Sequence, residues 1–177
     1  MVIILMGVSG SGKTTIGQLL AQSLAWTFYD GDDFHPPANV EKMKHGTPLT
    51  DEDRWPWLRA IAGEIDRVCK AGQHAVIACS ALKRAYRDIL VHGRDDVRIV
   101  YLKGTPKLIG DRLAQRKGHF MPPGLLASQF KTLEPPETSE NPVTVSIDAS
   151  VETIVDDIVH QLNPDPADSA APRRNRS

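Results

Sequence analysis

"GVSGSGKT", residues 7–14, is the most informative stretch of this chain. It satisfies the pattern G-x-x-x-x-G-K-[ST] throughout, with Gly7, Gly12, Lys13 and Thr14 at the fixed positions. The run Val2–Met6 before it is short and apolar, as a buried strand should be. The residues after it, Lys13–Leu24, read as a helix. Strand, loop and helix in that order are the context the pattern requires. Phosphate chemistry explains the residue types. Glycines let the backbone curl so that successive N–H groups point inward at phosphate oxygens, and the helix N-terminus adds partial positive charge. Lys13 is expected to reach the β- and γ-phosphates, and Thr14 to offer its hydroxyl to Mg2+. Gly7, Val8, Ser9, Gly10, Ser11, Gly12, Lys13, Thr14 and Thr15 are therefore the expected binding loop for a nucleoside triphosphate, with ATP the expected nucleotide. A chance glycine-rich turn would not come with this context.

The rest of the chain repeats the strand-then-helix alternation. Thr27–Tyr29, Ala75–Cys79, Val97–Leu102 and Val143–Ile147 join Val2–Met6 as expected strands, short and mostly apolar or β-branched. Helical patterns lie between them at Arg54–Lys70, Leu82–Val91, Pro106–Arg116 and Leu125–Leu133. A last helix is expected over Val151–Leu162, with Ser150 as N-cap and Glu152 in its first turn. Such alternation implies an α/β fold, a five-stranded parallel sheet with helices on both faces. Together with the loop this is the P-loop NTPase fold. The expected domain covers residues 1–162. Residues 163–177, "NPDPADSAAPRRNRS", have almost nothing to bury and read as a disordered tail.

Bulk properties narrow the function. At 177 residues, one domain is expected. Hydrophobic residues make up 41% and charged residues 24%, ordinary for a soluble globular protein. A net charge of −1 lacks the basic footprint of a nucleic-acid binder. Two cysteines, Cys69 and Cys79, make no disulfide framework. The histidines lack zinc-site spacing. No run approaches the ~18 apolar residues of a membrane span, and "MVIILMG" lacks the features of a signal peptide, so a cytoplasmic location is expected.

The phosphate loop is shared by GTPases, motors, transport ATPases and small-molecule kinases. No NKxD sequence for reading guanine occurs, and the length leaves little room for a motor's coupling elements. Many such proteins hold Mg2+ with an Asp at the end of a later strand, but here Ser80 stands where that acid would be. The stretch "YDGDDFHPP", residues 29–37, supplies candidates instead. Asp30 and Asp32 follow the second strand, on the sheet edge where ligands bind in open parallel sheets. One could support the metal while the other meets the phosphoryl acceptor, since a carboxylate beside a hydroxyl can align it and accept its proton. A solvated acidic turn is the alternative.

Taken together, "GVSGSGKT", "DGDDFHP", "NVEKMKHGTPLTDEDRWPWL", "CSALKRAYRDIL", "YLKG" and "RKGHFM" resemble the gluconokinases of the shikimate-kinase-like, nucleoside-monophosphate-kinase-like group, in order and spacing, from Ile3 to Leu162. The resemblance implies phosphorylation of D-gluconate at its 6-hydroxyl with ATP and Mg2+, a cytoplasmic protein and a homodimer. It implies Lys13, Asp32 and Arg116 as catalytic residues, with Asp32 deprotonating the acceptor hydroxyl. Asp30 would join Thr14 at the metal. His35, Arg54, Ser80, Lys83 and Arg87 would line the sugar-acid pocket. It also implies a small helical lid over "RLAQRKGHFMPP", residues 112–123, in which Arg116 and Lys117 close over the phosphates and Arg112 meets the adenine or a phosphate. Trp55, Trp57 and Leu58 are expected to pack their helix onto the domain rather than stack on a sugar. Another small-molecule kinase of the same fold, acting on shikimate or a nucleotide, is the nearest rival, and a non-catalytic ATP-binding module the next.

Overall fold

The computed structural model describes residues 1–115 and 123–162. Its centre is the strand β1 (Val2–Met6), every residue of which is buried. It pairs in parallel with β3 (Ala75–Ala78) on one side and β4 (Val97–Lys103) on the other. Outside these lie β2 (Thr27–Asp30) and β5 (Val143–Ser146), also parallel, giving the order β2-β3-β1-β4-β5. The expected five-stranded parallel sheet is thus the sheet found, with strand ends shifted by about a residue. The two outer strands differ from the uniformly buried pattern expected of them. β5 alternates buried and exposed residues and β2 is mostly half-buried, because an edge strand has a neighbour on one side only.

The side-chain period of two divides the core into two layers. Ile3 and Leu5 of β1 face a cluster with Ile16 and Leu20 of α1 (Lys13–Leu24) and Ile154 and Ile158 of α7 (Val151–Leu162). Val2, Ile4 and Met6 face the other way. They pack with Leu58, Ile61 and Ile65 of α3 (Asp51–Lys70) and with Tyr86 and Leu90 of α4 (Arg84–Val91). Helices therefore cover both faces, and the carboxyl ends of the strands open on one edge.

Helix ends shift by one to three residues, and two helical segments depart most from the sequence reading. A short helix, α2 (Pro37–Lys44), has no counterpart among the expected elements. It buries only Asn39, so it carries no apolar stripe to read. And α3 begins at Asp51 rather than Arg54, because Thr50 and Asp53 form a reciprocal cap: the Asp53 N–H donates to Thr50 Oγ1 (3.2 Å) and the Thr50 N–H to Asp53 Oδ2 (2.9 Å). The N-cap of α7 is as expected, with Thr153 N–H donating to Ser150 Oγ at 3.2 Å. The remaining helices are α5 (Pro106–Gln115) and α6 (Pro123–Thr132). Arg116, Lys117 and the rest of the central lid segment lie outside the described residues, as does the 163–177 tail. Among the described residues, no helix is long and apolar enough to cross a membrane.

Candidate active site

The loop from Gly7 to Gly12 leaves the carboxyl end of β1 and turns into α1. Gly12 stands at the N-cap with φ +93, and Gly10 has φ +81, both in the left-handed region that favours glycine. At Gly10 space is also short: an added Cβ would lie 2.8 Å from Leu113 Cγ on α5. Lys13 Nζ donates to the carbonyls of Gly7 (3.0 Å) and Val8 (3.1 Å), so its ammonium folds back across the loop. Val8 and Ser11 are buried, while Thr14 and Thr15 open to solvent on the first turn of α1.

The end of β2 brings the first acidic residue to this loop. Thr14 Oγ1 donates to Asp30 Oδ2 at 3.1 Å, and Asp30 Oδ1 accepts from the Asp32 N–H at 3.1 Å. Asp30 thus ties the phosphate loop to the 3-10 turn Gly31–Phe34. The glycine between the two acids is there for space: a Cβ on Gly31 would lie 2.5 Å from the Ala78 carbonyl at the end of β3. Trp57 pins the same turn, its indole N–H donating to the Gly31 carbonyl at 2.7 Å. Trp57 and Leu58 are buried, as expected of packing residues, and Trp57 also sets the position of the acidic turn.

Asp32 is exposed, with its carboxyl partly desolvated by the protein around it. That desolvation, followed by the neighbouring Asp30 carboxylate, raises its pKa above the ordinary value, while His35 and Lys13 pull it back. His35 stacks on Trp57, ring centroids 4.3 Å apart and planes 12° apart. Burial lowers its pKa, Asp32 opposes that shift, and the nearby Arg54 charge adds to it. Asp32 and Arg54 therefore both lie within electrostatic reach of His35.

The acceptor-side cations fall into two groups. Lys83 Nζ donates to both oxygens of Asp51 (3.0 and 2.7 Å), and the Tyr86 hydroxyl donates to the same carboxylate. Arg54 Nη1 lies 3.7 Å from Asp51 and donates to the Leu49 carbonyl at 2.7 Å; both cations lie over the Tyr86 ring. Arg87 stands apart from this group. Its side chain is 1% exposed, paired through Nε and Nη2 with Glu140 (2.6 and 3.0 Å), and it donates through Nη1 to the carbonyls of Ala81, Leu82 and Glu134. A carboxylate ligand would have to displace Glu140 to reach it. Ser80 is half-buried after β3, and its carbonyl accepts from the Gly7 N–H at 3.3 Å. Arg112 is half-buried on α5 and donates to the Ile147 carbonyl just past β5.

Sequence reasoning missed three contributors. Asp51 and Tyr86 organise the cations, but an acid in a helix's first turn and a tyrosine on an amphipathic helix carry no signal of that role. Gln129 on α6 accepts the Ser9 N–H of the phosphate loop at 2.6 Å. Nothing in "LLASQF" marks it.

The donor set fits a hard cation. Thr14 and Asp30 offer oxygens side by side, and among the described residues no cluster of three or more His, Cys, Asp or Glu forms a metal cage. Mg2+ in phosphoryl-transfer sites is held this way, by one or two protein oxygens plus phosphates and water.

Comparison with known proteins shows the family of the chain. Residues 9–163 match the family model described as Shikimate kinase. A probable gluconokinase of Xenopus tropicalis is 47% identical, over 92% of this chain and 94% of its own. The gluconokinase of Gluconobacter oxydans is 44% identical, over 90% of each chain. The crystal structure of a gluconokinase from Sinorhizobium meliloti superposes with a TM-score of 0.83 at 41% identity, covering 91% of this chain and 90% of that one. The chain is a kinase of the α/β P-loop type and belongs to the gluconokinase family, within the wider shikimate-kinase-like group.

Proposed function

We propose that this protein transfers the γ-phosphoryl group of ATP to the 6-hydroxyl of D-gluconate, giving 6-phospho-D-gluconate, with Mg2+ as cofactor. The observation that carries this reading is the link from Thr14 through Asp30 to Asp32, which sets a carboxylate of raised pKa beside a phosphate loop. Gly7–Thr15 hold the triphosphate. Lys13 places its charge at the phosphates, and Thr14 and Asp30 hold the cation, Asp30 directly or through its water. When bound, Mg2+ neutralises phosphate charge. Asp32 orients the acceptor hydroxyl and takes its proton, a task its raised pKa suits, because a stronger base accepts a proton more readily. His35, half-buried and kept neutral near pH 7 by its lowered pKa, serves as a hydrogen-bonding wall for the sugar-acid hydroxyls.

Arg54 is the cation best suited to the gluconate carboxylate. Its guanidinium is half-exposed, and its planar fork can bind a carboxylate through two parallel bonds. Lys83 is already held by both oxygens of Asp51. Arg112 is assigned to the nucleotide, and Arg116 to offsetting the charge that moves in transfer. The test is turnover of MgATP with gluconate, shikimate, nucleoside monophosphates and glucose in parallel. ADP and 6-phosphogluconate should form with gluconate and very little product with glucose, which lacks the carboxylate. Turnover with shikimate or a nucleotide and none with gluconate would overturn the reading.

A further inference from the structure

We infer that Gln129 is a positioning residue for ATP, holding the outer turn of the phosphate loop from the side of α6. This inference rests on the ATP-phosphotransferase reading of the same site. The Ser9 N–H donates to Gln129 Oε1 at 2.6 Å across 120 residues of sequence. On the other flank, α5 presses on the next residue: an added Cβ on Gly10 would lie 2.8 Å from Leu113 Cγ and 3.1 Å from Ile109 Cγ2. The Ser9–Gly10 turn is thus gripped between the helices on either side of residues 116–122. Without Gln129 the turn would keep its own Ser11 N–H to Val8 carbonyl bond (3.2 Å) and the apolar contact with α5, but would lose its tie to α6.

The chemistry of the grip suits a triphosphate site. An amide oxygen satisfies a backbone N–H without bringing negative charge near the phosphates, as a glutamate at this position would. Gln129 also reaches from an anchored helix. Leu126 and Phe130 of α6 pack against the core layer that holds Ile109. Just past α6, the Glu134 N–H donates to the Leu82 carbonyl at 2.8 Å, and Glu134 Oε2 accepts the Arg84 N–H at 2.6 Å. The helix therefore bridges the phosphate loop and the start of α4, beside Lys83. A loop whose N–H groups must converge on phosphate oxygens loses affinity when its curvature is free to vary.

The test is Gln129→Met, which keeps length and volume and removes the acceptor, with Gln129→Asn as a second variant whose amide is one methylene too short. Loss of one hydrogen bond that orders the loop should raise KM for ATP and the calorimetric Kd for MgATP roughly five- to tenfold. The gluconate KM and the melting temperature should stay near wild type. Unchanged ATP parameters in both variants would overturn the inference. So would a rise in both KM values together with a lower melting temperature, which marks a packing residue. The Kd for MgATP is measured without acceptor, so it judges Gln129 even if gluconate proves not to be the acceptor.

Discussion

Asp30 and Asp32 are two residues apart and are given opposite environments by a few ångströms of backbone. Both Asp30 oxygens accept hydrogen bonds, one from Thr14 and one from the Asp32 N–H, which hold it beside the loop. Asp32 is exposed but partly desolvated by its surroundings and faces the Asp30 charge, and its pKa is raised. Removing its charge should separate catalysis from stability. Asp32→Asn should lose about 10²–10⁴ in kcat, the usual worth of a general base, while still binding MgATP. The wild-type carboxyl binds its proton more tightly folded than unfolded. Its favourable contribution is thus present at low pH and lost as pH rises through the raised pKa. At neutral pH the charged Asp32 therefore costs stability, and the Asn variant should melt at a higher temperature than wild type. A thermal scan at pH 7 and a kcat assay check both halves, and a variant that loses stability or retains near-wild-type turnover contradicts them. These two acids were legible in the sequence because the phosphate loop fixes which sheet edge is the site and the residues follow a strand that ends there. Arg54 and Arg87 were not separable in the same way. Each is an arginine on a helical pattern, and only tertiary packing buries one and leaves the other half-exposed.

Among elements, α2 shows what periodicity cannot find. It docks through polar contacts: Lys42 Nζ reaches both oxygens of Asp53 (2.7 and 2.9 Å), and the Asn39 amide donates to the Asp53 carbonyl at 2.7 Å. No apolar stripe is needed, so none was there to read. Asp53 serves twice, in the cap of α3 and as the anchor for α2. The Lys42 hydrogen bond first, then the Thr50 backbone, brings its pKa down to about 2. Thr50→Ala should cost about 1 kcal/mol as a lost N-cap. Asp53→Ala should lose the cap and the Lys42 pair, leaving α2 held by the Asn39 bond to the backbone carbonyl and so loosened, seen as faster amide exchange across residues 37–44. The depressed pKa gives this second effect a pH signature. The stabilisation is present above the ordinary value of 3.8 and lost as pH falls through about 2, so the melting-temperature gap between wild type and Asp53→Ala should narrow on acidification. A gap that stays constant to low pH would assign the effect to packing. The long, strongly patterned parts, α3 and α7 among them, were legible because their apolar faces meet the sheet.

For the whole molecule, the strand order places β1 between β3 and β4, so the chain crosses from one side of β1 to the other after β3. The phosphate loop lies at that crossing, where ligand sites form in open parallel sheets. Alternation in the sequence implied the parallel sheet but could not say which strands lie outermost, because strand order depends on which faces the crossovers cover. Arg87 belongs to this scale. With Glu140 it forms a buried ion pair joining α4 to the turn before β5. Burial pushes the Glu140 carboxyl up, but the Arg87 hydrogen bond and the Glu137 N–H outweigh it, so its pKa lies below the ordinary value. Removing one partner of such a pair leaves the other charge buried and costs about 3–5 kcal/mol. For a chain of this size that is roughly 10 °C in melting temperature. Arg87→Gln should therefore melt far below wild type while the fraction that remains folded keeps its gluconate KM. Arg54→Gln should do the opposite: nearly unchanged melting, and a gluconate KM raised more than kcat is lowered, because the carboxylate is remote from the transferring phosphoryl group. The comparison needs KM, kcat and a melting curve for both variants. A raised gluconate KM in Arg87→Gln with melting unchanged would place the carboxylate at the buried pair, and Arg54 would then be the structural residue of the two.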